Sequence, residues 1–187
     1  MSNFGVNQLK EALESGVTIA ANQLCYNLIF RAVEMDIIPF CKEKNIQIIC
    51  YSPLQQGLLT GKWTSLEEIP IYRRRTRHFD SAKNEKSRHG EAGHEELLFR
   101  TITKLNEISA SSGIALSDIA VAWPLHTAGV SCVIIGATKA EQVTANAKAV
   151  NLKLDKSLVD QLNAATEELK QAMGSNADLW QGKDGRI

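Results

Sequence analysis

Features that would mark a nucleic-acid-binding, membrane or secreted protein are missing from this sequence of 187 residues. Lysine and arginine (21) balance aspartate and glutamate (21), so no net field attracts the chain to nucleic acid or to an anionic membrane. No apolar run approaches the roughly 20 residues that a membrane-spanning helix needs. The amino terminus lacks the basic and apolar regions of a signal peptide, which favours a cytoplasmic location.

Metal-binding and disulfide patterns are also missing. The chain has four cysteines: Cys25, Cys41, Cys50 and Cys132. They show no C-x-x-C spacing, so we expect small buried side chains rather than a disulfide framework or a zinc site. The histidines contain no H-E-x-x-H motif, and His89 and His94 are expected to be solvated surface residues. The sequence therefore predicts no metal site.

Two common nucleotide-binding fingerprints are absent. The twelve glycines contain no G-x-G-x-x-G, the signature of the Rossmann fold. The stretch GLLTGKW (57–63) resembles a phosphate-binding loop, but it is one residue short between its glycines. Trp63 also stands where such a loop needs a Mg²⁺-binding serine or threonine. These departures exclude a nucleoside triphosphatase.

What the sequence does contain is an alternation of helical and strand periodicities. Apolar spacing predicts helices over 7–15, 31–44, 98–108 and 117–126, with two more beginning near residues 139 and 156. Short apolar runs predict strands over 17–23, 46–50 and 131–136. Pro39 and Pro124 are expected to break or distort their helices. Residues 51–94 are expected to be mostly loop.

This alternation indicates right-handed β-α-β units around a parallel sheet, and so an α/β fold in one domain over residues 1–187. Three strands do not close a barrel, and the flanking helices are too many for a small open sheet. The architecture is therefore expected to be incomplete. Residues 175–187 are predicted to form a C-terminal tail.

The stretch YSPLQQGLLTGK (51–62) directly follows a predicted buried strand, where ligand-binding loops lie in parallel α/β proteins. Tyr51 offers a flat aromatic face at the end of the strand. Gly57 allows backbone N–H groups to approach an anion, which Lys62 could then cover. An ordinary strand-to-helix turn is the alternative interpretation.

Two further stretches follow strands. In GATKAEQVTAN (136–146), Thr138 and Glu141 predict a capping box at a helix N-terminus. Such a terminus attracts phosphate, and Lys139 adds a positive charge; a helix cap alone is the alternative. In ANQLCYN (21–27), the carboxamides of Asn22 and Gln23 could bind another amide, or they could satisfy loop backbone groups.

Four motifs occur in order along the chain: SNFG (2–5), NQLCYN (22–27), YSPLQQGLLTGK (51–62) and GATKAEQVTAN (136–146). In this order they resemble the C-terminal half of the aldo-keto reductase family, closest to the branch of bacterial reductases and potassium-channel β subunits. The resemblance covers nearly the whole chain. It implies the C-terminal half of a (β/α)₈ TIM barrel, with about three core parallel strands and flanking helices.

The resemblance also implies that NADP(H) is the cofactor and that a small-molecule aldehyde or ketone is reduced by hydride transfer. Ser2, Asn3 and Gln23 match the groups that hold the nicotinamide carboxamide, and Tyr51 matches the aromatic residue that stacks on the nicotinamide. Ser52, Leu54, Gln56, Gly57 and Lys62 match the pyrophosphate loop. Gly136, Thr138, Gln142 and Asn146 match the 2′-phosphate and adenosine site. Lys139 is added from its charge and position, and Ala145 departs from the glutamate usual in the family.

The family's catalytic Asp, Tyr, Lys and His have no counterpart in these residues, so no catalytic residue is predicted. The SNFG motif corresponds to the loop after the family's fifth strand, and the tetrad precedes that loop. The preferred interpretation is a C-terminal, cofactor-binding piece of a reductase that is inactive alone.

Two alternatives are open from the sequence. The chain could be a non-catalytic cofactor-binding or regulatory module, completed by a second copy or by a partner chain that supplies the missing N-terminal half. It could also contact nucleic-acid phosphates through RRRTRH (73–78), although the neutral charge balance argues against this. The family's cofactor-facing arginine could be any one of Arg73, Arg74, Arg75 and Arg77.

Overall fold

The computed structural model of the protein describes residues 1–182. Its helices are α1 (Val6–Glu14), α2 (Ile37–Glu43), α3 (Glu95–Ser112), α4 (Leu116–Ala122), α5 (Ala140–Ala149) and α6 (Lys156–Met173). Its strands are β1 (Ala21–Cys25), β2 (Gln47–Tyr51) and β3 (Val130–Ile134). Short 3₁₀ turns lie at Ala32–Glu34, Gln55–Thr60, Ile71–Arg73, Ser81–Lys83 and Trp123–His126.

The three strands form one parallel sheet in the order β1-β2-β3. Cys25 lies opposite Tyr51, which in turn lies opposite Ile134, so the three carboxyl ends are level. Residues 1–3 run parallel to the other edge of β1, where the Asn3 amide donates to the Gln23 carbonyl at 2.8 Å. The segments that follow β1, β2 and β3, and the segment that follows residues 1–3, therefore all leave the same end of the sheet.

Burial alternates along β1 and β2 because only one face of the sheet is fully covered in the described chain, whereas no residue of β3 is buried. Leu24 and Ile48 are completely buried on the covered face. On the other face, Gln23 lies opposite Ile49 and Ile49 opposite Cys132; the first two are half-buried and Cys132 is exposed. This alternation positions Gln23 and Tyr51 on the less covered face.

Several element boundaries differ from those expected. The first strand spans Ala21–Cys25 instead of 17–23, because Val17 is 44% exposed and precedes the sheet. The helix expected over 31–44 divides into a 3₁₀ turn and α2. Pro39 lies in the first turn of α2, where no backbone N–H is required, and so does not break it. Pro124 does end α4, which continues as a 3₁₀ turn.

Two burial predictions were wrong. His89 is 6% exposed rather than solvated, and its Nδ1 accepts from the Glu91 amide at 3.1 Å. Cys132 is exposed on β3, whereas the other three cysteines are buried as expected.

Part of the segment expected to be a tail is packed. Residues 177–179 are buried, and the Arg77 guanidinium donates to the carbonyls of Met173 and Asn176 at 2.8 and 2.7 Å. The remainder of that prediction, residues 183–187, lies outside the described residues. Within residues 1–182, no single helix has the length and apolarity to cross a membrane; only Glu95–Ser112 with Leu116–His126, taken together and bent by 98°, passes that criterion.

A partly buried ionic cluster joins α6 to the connection after β1. Arg31 donates to both carboxylate oxygens of Glu34 at 2.8 Å, and the Lys170 ammonium lies 2.9 Å from the same carboxylate. The Tyr26 hydroxyl donates to Glu34 at 2.7 Å. Burial opposes ionisation of Glu34, but the hydrogen bonds and charge of Arg31, with Lys170, outweigh it and lower the pKa of this carboxyl.

His78 fixes the long loop between β2 and α3 against the connection after β1. Its Nε2 donates to the Ile29 carbonyl at 2.8 Å, which leaves Nδ1 to accept from the Thr76 hydroxyl at 3.1 Å. Because the ring is completely buried, desolvation lowers the pKa of His78 to about 4. Folding therefore requires the neutral imidazole.

We expect the free energy of unfolding to fall as the pH decreases from about 6.5 to about 4. In that interval the unfolded chain binds a proton at His78 and the folded chain does not, so up to about 3 kcal/mol of stability is lost. Urea titrations at several pH values measure this slope. His78→Gln should reduce the slope relative to that of the unchanged chain. A residual slope is expected from His89 and His94, whose pKa values burial also lowers. An H78Q variant with the full slope would contradict the assignment.

Candidate functional site

The carboxyl ends of the strands bring two predicted site residues into direct contact. The Tyr51 hydroxyl, at the end of β2, donates to the Asn3 side-chain oxygen at 2.9 Å. Ser2 pairs with Gln23 across the edge of β1. The Gln23 side chain is half-buried, and its carboxamide has no hydrogen-bond partner in the described chain. Two carboxamides and an aromatic ring thus lie at one end of the sheet.

Asn22 has a structural role instead. It is completely buried on the opposite face of β1, where its amide donates to the Phe4 carbonyl at 2.8 Å and its oxygen accepts from the Phe4 N–H at 3.4 Å. Asn22 and Gln23 therefore each fit a different one of the two interpretations given for ANQLCYN. Asn22 satisfies loop backbone groups, and Gln23 remains available for a ligand.

The loop after β2 has an unusual backbone. Ser52, Gln55 and Gln56 have φ angles of 56°, 42° and 54°, in the left-handed region that non-glycine residues rarely adopt. Asn27 holds this loop, because its amide donates to the Ser52 carbonyl at 3.0 Å and to the Gln55 side-chain oxygen at 2.8 Å. Sequence reasoning did not assign Asn27, although its place in NQLCYN, at the end of a strand, was the available signal.

A groove of about 380 Å³ lies between this loop and the end of β3. It is lined by Tyr51, Ser52, Pro53, Leu54, Gln55, Gln56, Gly57, Ile134, Ile135 and Gly136. Gly57 has φ 98°, and a Cβ there would lie 3.1 Å from the Trp63 ring. Six of the predicted cofactor residues, from Tyr51 to Gly57 and Gly136, therefore share one groove.

Of the candidate cations, Arg73 contacts the loop of this groove and Lys62 does not. Lys62 is exposed, lies over the Trp63 ring at 5.6 Å, and does not line the groove. Arg73 instead donates to the Gln56 carbonyl and stacks on the Trp63 ring at 5.3 Å. Among the four arginines left open, Arg73 is the one that contacts the groove loop. The cluster RRRTRH signalled positive charge, but nothing in its spacing distinguished Arg73 from its neighbours.

The N-terminus of α5 carries a cap, but not the predicted one. The N-cap residue is Lys139, and the residue that closes the turn is Gln142 rather than Glu141. The Gln142 side-chain oxygen accepts from the N–H groups of Thr138 and Lys139 at 2.7 and 3.2 Å. Asn146 lies one turn further along α5 and is half-buried. An anion at this terminus would have to replace the Gln142 oxygen.

Neither an obvious proton donor nor a metal cluster accompanies these groups in residues 1–182. The Tyr26 hydroxyl lies between Glu34 and Thr127 at 2.7 and 2.8 Å, and burial, with the Glu34 charge, raises its pKa well above the ordinary value. No group of three histidine, cysteine or acidic side chains lies close enough to hold a metal ion.

Comparison with known proteins assigns the family. Residues 1–167 match the profile of the "Aldo/keto reductase family". The chain belongs to this family. An NADH-specific methylglyoxal reductase of Escherichia coli K12 is 27% identical over 172 residues, which are 89% of this chain and 48% of that protein. A "Probable voltage-gated potassium channel subunit beta" of Oryza sativa subsp. japonica is 32% identical over 148 residues, 76% of this chain and 42% of that protein.

Solved structures give the same fold for this aldo-keto reductase chain. A glycerol dehydrogenase from Gluconobacter oxydans superposes with a TM-score of 0.66 at 23% identity, over 94% of this chain and 49% of the other. At that identity the likeness shows the fold alone. The chain spans about half the length of the curated relatives and of the solved structure that it matches.

The groove loop provides a stability test. Gly57→Ala should lower the free energy of unfolding by about 1–2 kcal/mol, because alanine is strained at this positive φ and its Cβ contacts Trp63. Gly136→Ala, on the facing wall, should be nearly neutral, because nothing lies within 4 Å of a Cβ there. Urea denaturation compares the two variants. Equal stabilities would contradict the described loop geometry.

Proposed function

We propose that the chain is the C-terminal, cofactor-binding half of an NADP(H)-dependent aldo-keto reductase that reduces aldehydes and ketones to alcohols. The observation that carries the proposal is the convergence of Asn3, Gln23, Tyr51 and the groove loop at the carboxyl ends of adjacent parallel strands. Ligands bind at this end of the strands in barrel proteins. Family membership supplies the reaction class.

The residues present fit a dinucleotide. The Gln23 carboxamide, which has no partner in the described chain, can exchange a donor and an acceptor with the nicotinamide carboxamide. Asn3 holds the Tyr51 hydroxyl, which fixes the ring that would face the nicotinamide. Two buried donors beside the groove, Nε2 of Gln55 and Nε of Arg73, have no partner among the described residues. Buried donors of this kind are normally satisfied, and an anion such as pyrophosphate would be a suitable acceptor for them.

When bound, the cofactor supplies the hydride, and this chain's residues supply binding and orientation. Tyr51 and the carboxamides set the position of the nicotinamide ring relative to the sheet. The positive charge of Arg73 lies next to the Gln56 carbonyl and favours a phosphate in the groove. The proton for the alcohol would come from the tetrad in the other half of the barrel.

The preference for NADPH over NADH rests on Lys139 and the N-terminus of α5. Lys139 is exposed and directly follows Thr138, so its ammonium can pair with a 2′-phosphate. A relative at 27% identity is named as NADH-specific. The specificity of this chain therefore depends on α5 rather than on family membership.

The cofactor assignment predicts a selective loss of affinity. Lys139→Gln should weaken NADPH binding about tenfold, because one charge-assisted contact is removed, and should leave NADH binding unchanged. Titration followed by dihydronicotinamide fluorescence measures both constants. Lys148→Gln, at the other end of α5, is the matched control. Equal losses for NADPH and NADH would argue against a 2′-phosphate contact at Lys139.

Because the chain is proposed to bind the cofactor without supplying the proton donor, we expect NADPH binding without turnover. Purified alone, the chain should oxidise NADPH in the presence of a carbonyl compound no faster than a heat-denatured control, because no tuned proton donor is supplied. Absorbance at the dihydronicotinamide band follows the reaction. Steady turnover above the control would disprove this assignment.

A second candidate function is a non-catalytic cofactor-binding or regulatory module, completed by a second copy or a partner chain. It is favoured by the incompletely covered face of the sheet and by β3, which pairs only with β2 among the described strands. Light scattering measures the oligomeric state and so distinguishes this module from the reductase half. A stable homodimer that binds NADPH favours the module. A monomer that does not respond to NADPH excludes it.

A further inference from the structure

A second groove, of about 600 Å³, lies outside the cofactor site. Its lining comes from the segment 85–88 and from Arg75, Trp180 and Gln181. Arg88 and Gln181 are joined by a parallel backbone bridge, which brings the two segments together. No residue of this second groove also lines the cofactor groove.

Two polar atoms of this groove's residues are buried without a partner. Nε of Arg75 and Oγ of Ser87 have no hydrogen bond among the described residues, although water does not reach them. Native proteins satisfy nearly all such atoms, because an unpaired buried donor is destabilising. Both atoms belong to residues that line this groove. An anion with several oxygens could accept from both once their side chains turn toward the groove.

The charges of the groove point to the same ligand. Arg75, Lys86 and Arg88 form no ion pair with any described carboxylate. Other cations of this loop are paired: Arg77 lies 2.9 Å from Glu91, and Lys83 lies 2.7 Å from Glu95. Glu85 is the single acidic residue in the groove lining, so the described lining carries an excess of two positive charges.

We propose that this second groove binds the phosphate group of a small organic phosphate. Arginine and hydroxyl donors suit phosphate oxygens, because a guanidinium can donate two parallel hydrogen bonds. The half-buried Trp180 ring offers an apolar surface for the organic part of the ligand. The site goes beyond the proposed reductase function, since the proposed cofactor residues are not part of it.

Calorimetry on the full chain tests the proposal with glycerol 3-phosphate and, as its uncharged match, glycerol. Glycerol 3-phosphate should bind and glycerol should not. Arg75→Gln should weaken binding about tenfold or more, and Ser87→Ala should weaken it by a smaller factor. Arg100→Gln, an exposed arginine on α3, should bind as the unchanged chain does.

Several outcomes would overturn the proposal. One is that glycerol 3-phosphate does not bind to a chain that circular dichroism shows to be folded. Another is that its affinity is unchanged in both R75Q and S87A. If R75Q does not fold, S87A decides, because it removes only an unpaired hydroxyl. Inorganic phosphate that binds as tightly as glycerol 3-phosphate would leave no role for an organic part. If NADPH displaces glycerol 3-phosphate and R75Q weakens the binding of both equally, the groove would instead belong to the cofactor site.

Discussion

The parallel register of the three strands is the constraint on which the candidate site depends. Cys25, Tyr51 and Ile134 lie opposite one another, so the segments after β1, β2 and β3 begin at the same level. Asn27 can then reach from the first segment to the second and hold Ser52 and Gln55 together. A shift of one residue would exchange the two faces of a strand. Tyr51 would then move to the covered face, away from Asn3.

The covered face of this sheet packs on the core, and the ionic cluster around Glu34 joins distant segments of the chain. Arg31, Glu34 and Lys170 tie α6, late in the chain, to the connection after β1. A partly buried carboxylate such as Glu34 needs such partners, because removal of one leaves uncompensated charge. The groove loop adds strain through its positive φ angles, about 1–2 kcal/mol for a left-handed non-glycine residue. Strain of this kind persists only where the surrounding structure fixes it, and it concentrates at binding sites.

The sequence predicted the order of the helices and strands better than their first and last residues or the capping side chains. Apolar runs identify β2 and β3 to within two residues, because these runs nearly coincide with the stretches that pair in the sheet. The first strand was placed too early, since its limits depend on pairing with residues 1–3 and with β2, which no local pattern encodes. Gln142 replaced Glu141 as the capping side chain because α5 begins one residue later than the T-x-x-E pattern indicates. His89 and Arg73 were unpredictable for the same reason: their surroundings come from residues distant in sequence.

The basic segment that follows the groove loop shows why the neutral total charge says little about ligands. Arg73 contacts the Gln56 carbonyl, and Arg77 is paired with Glu91 and with carbonyls of the C-terminal segment. Arg75 lies between them with a buried, unpaired Nε. Chain folding accounts for Arg77, because its hydrogen bonds join two segments. It does not account for Arg75, since an uncharged side chain there would avoid the desolvation of an unpaired donor. The phosphate site proposed for the second groove would account for the placement of Arg75.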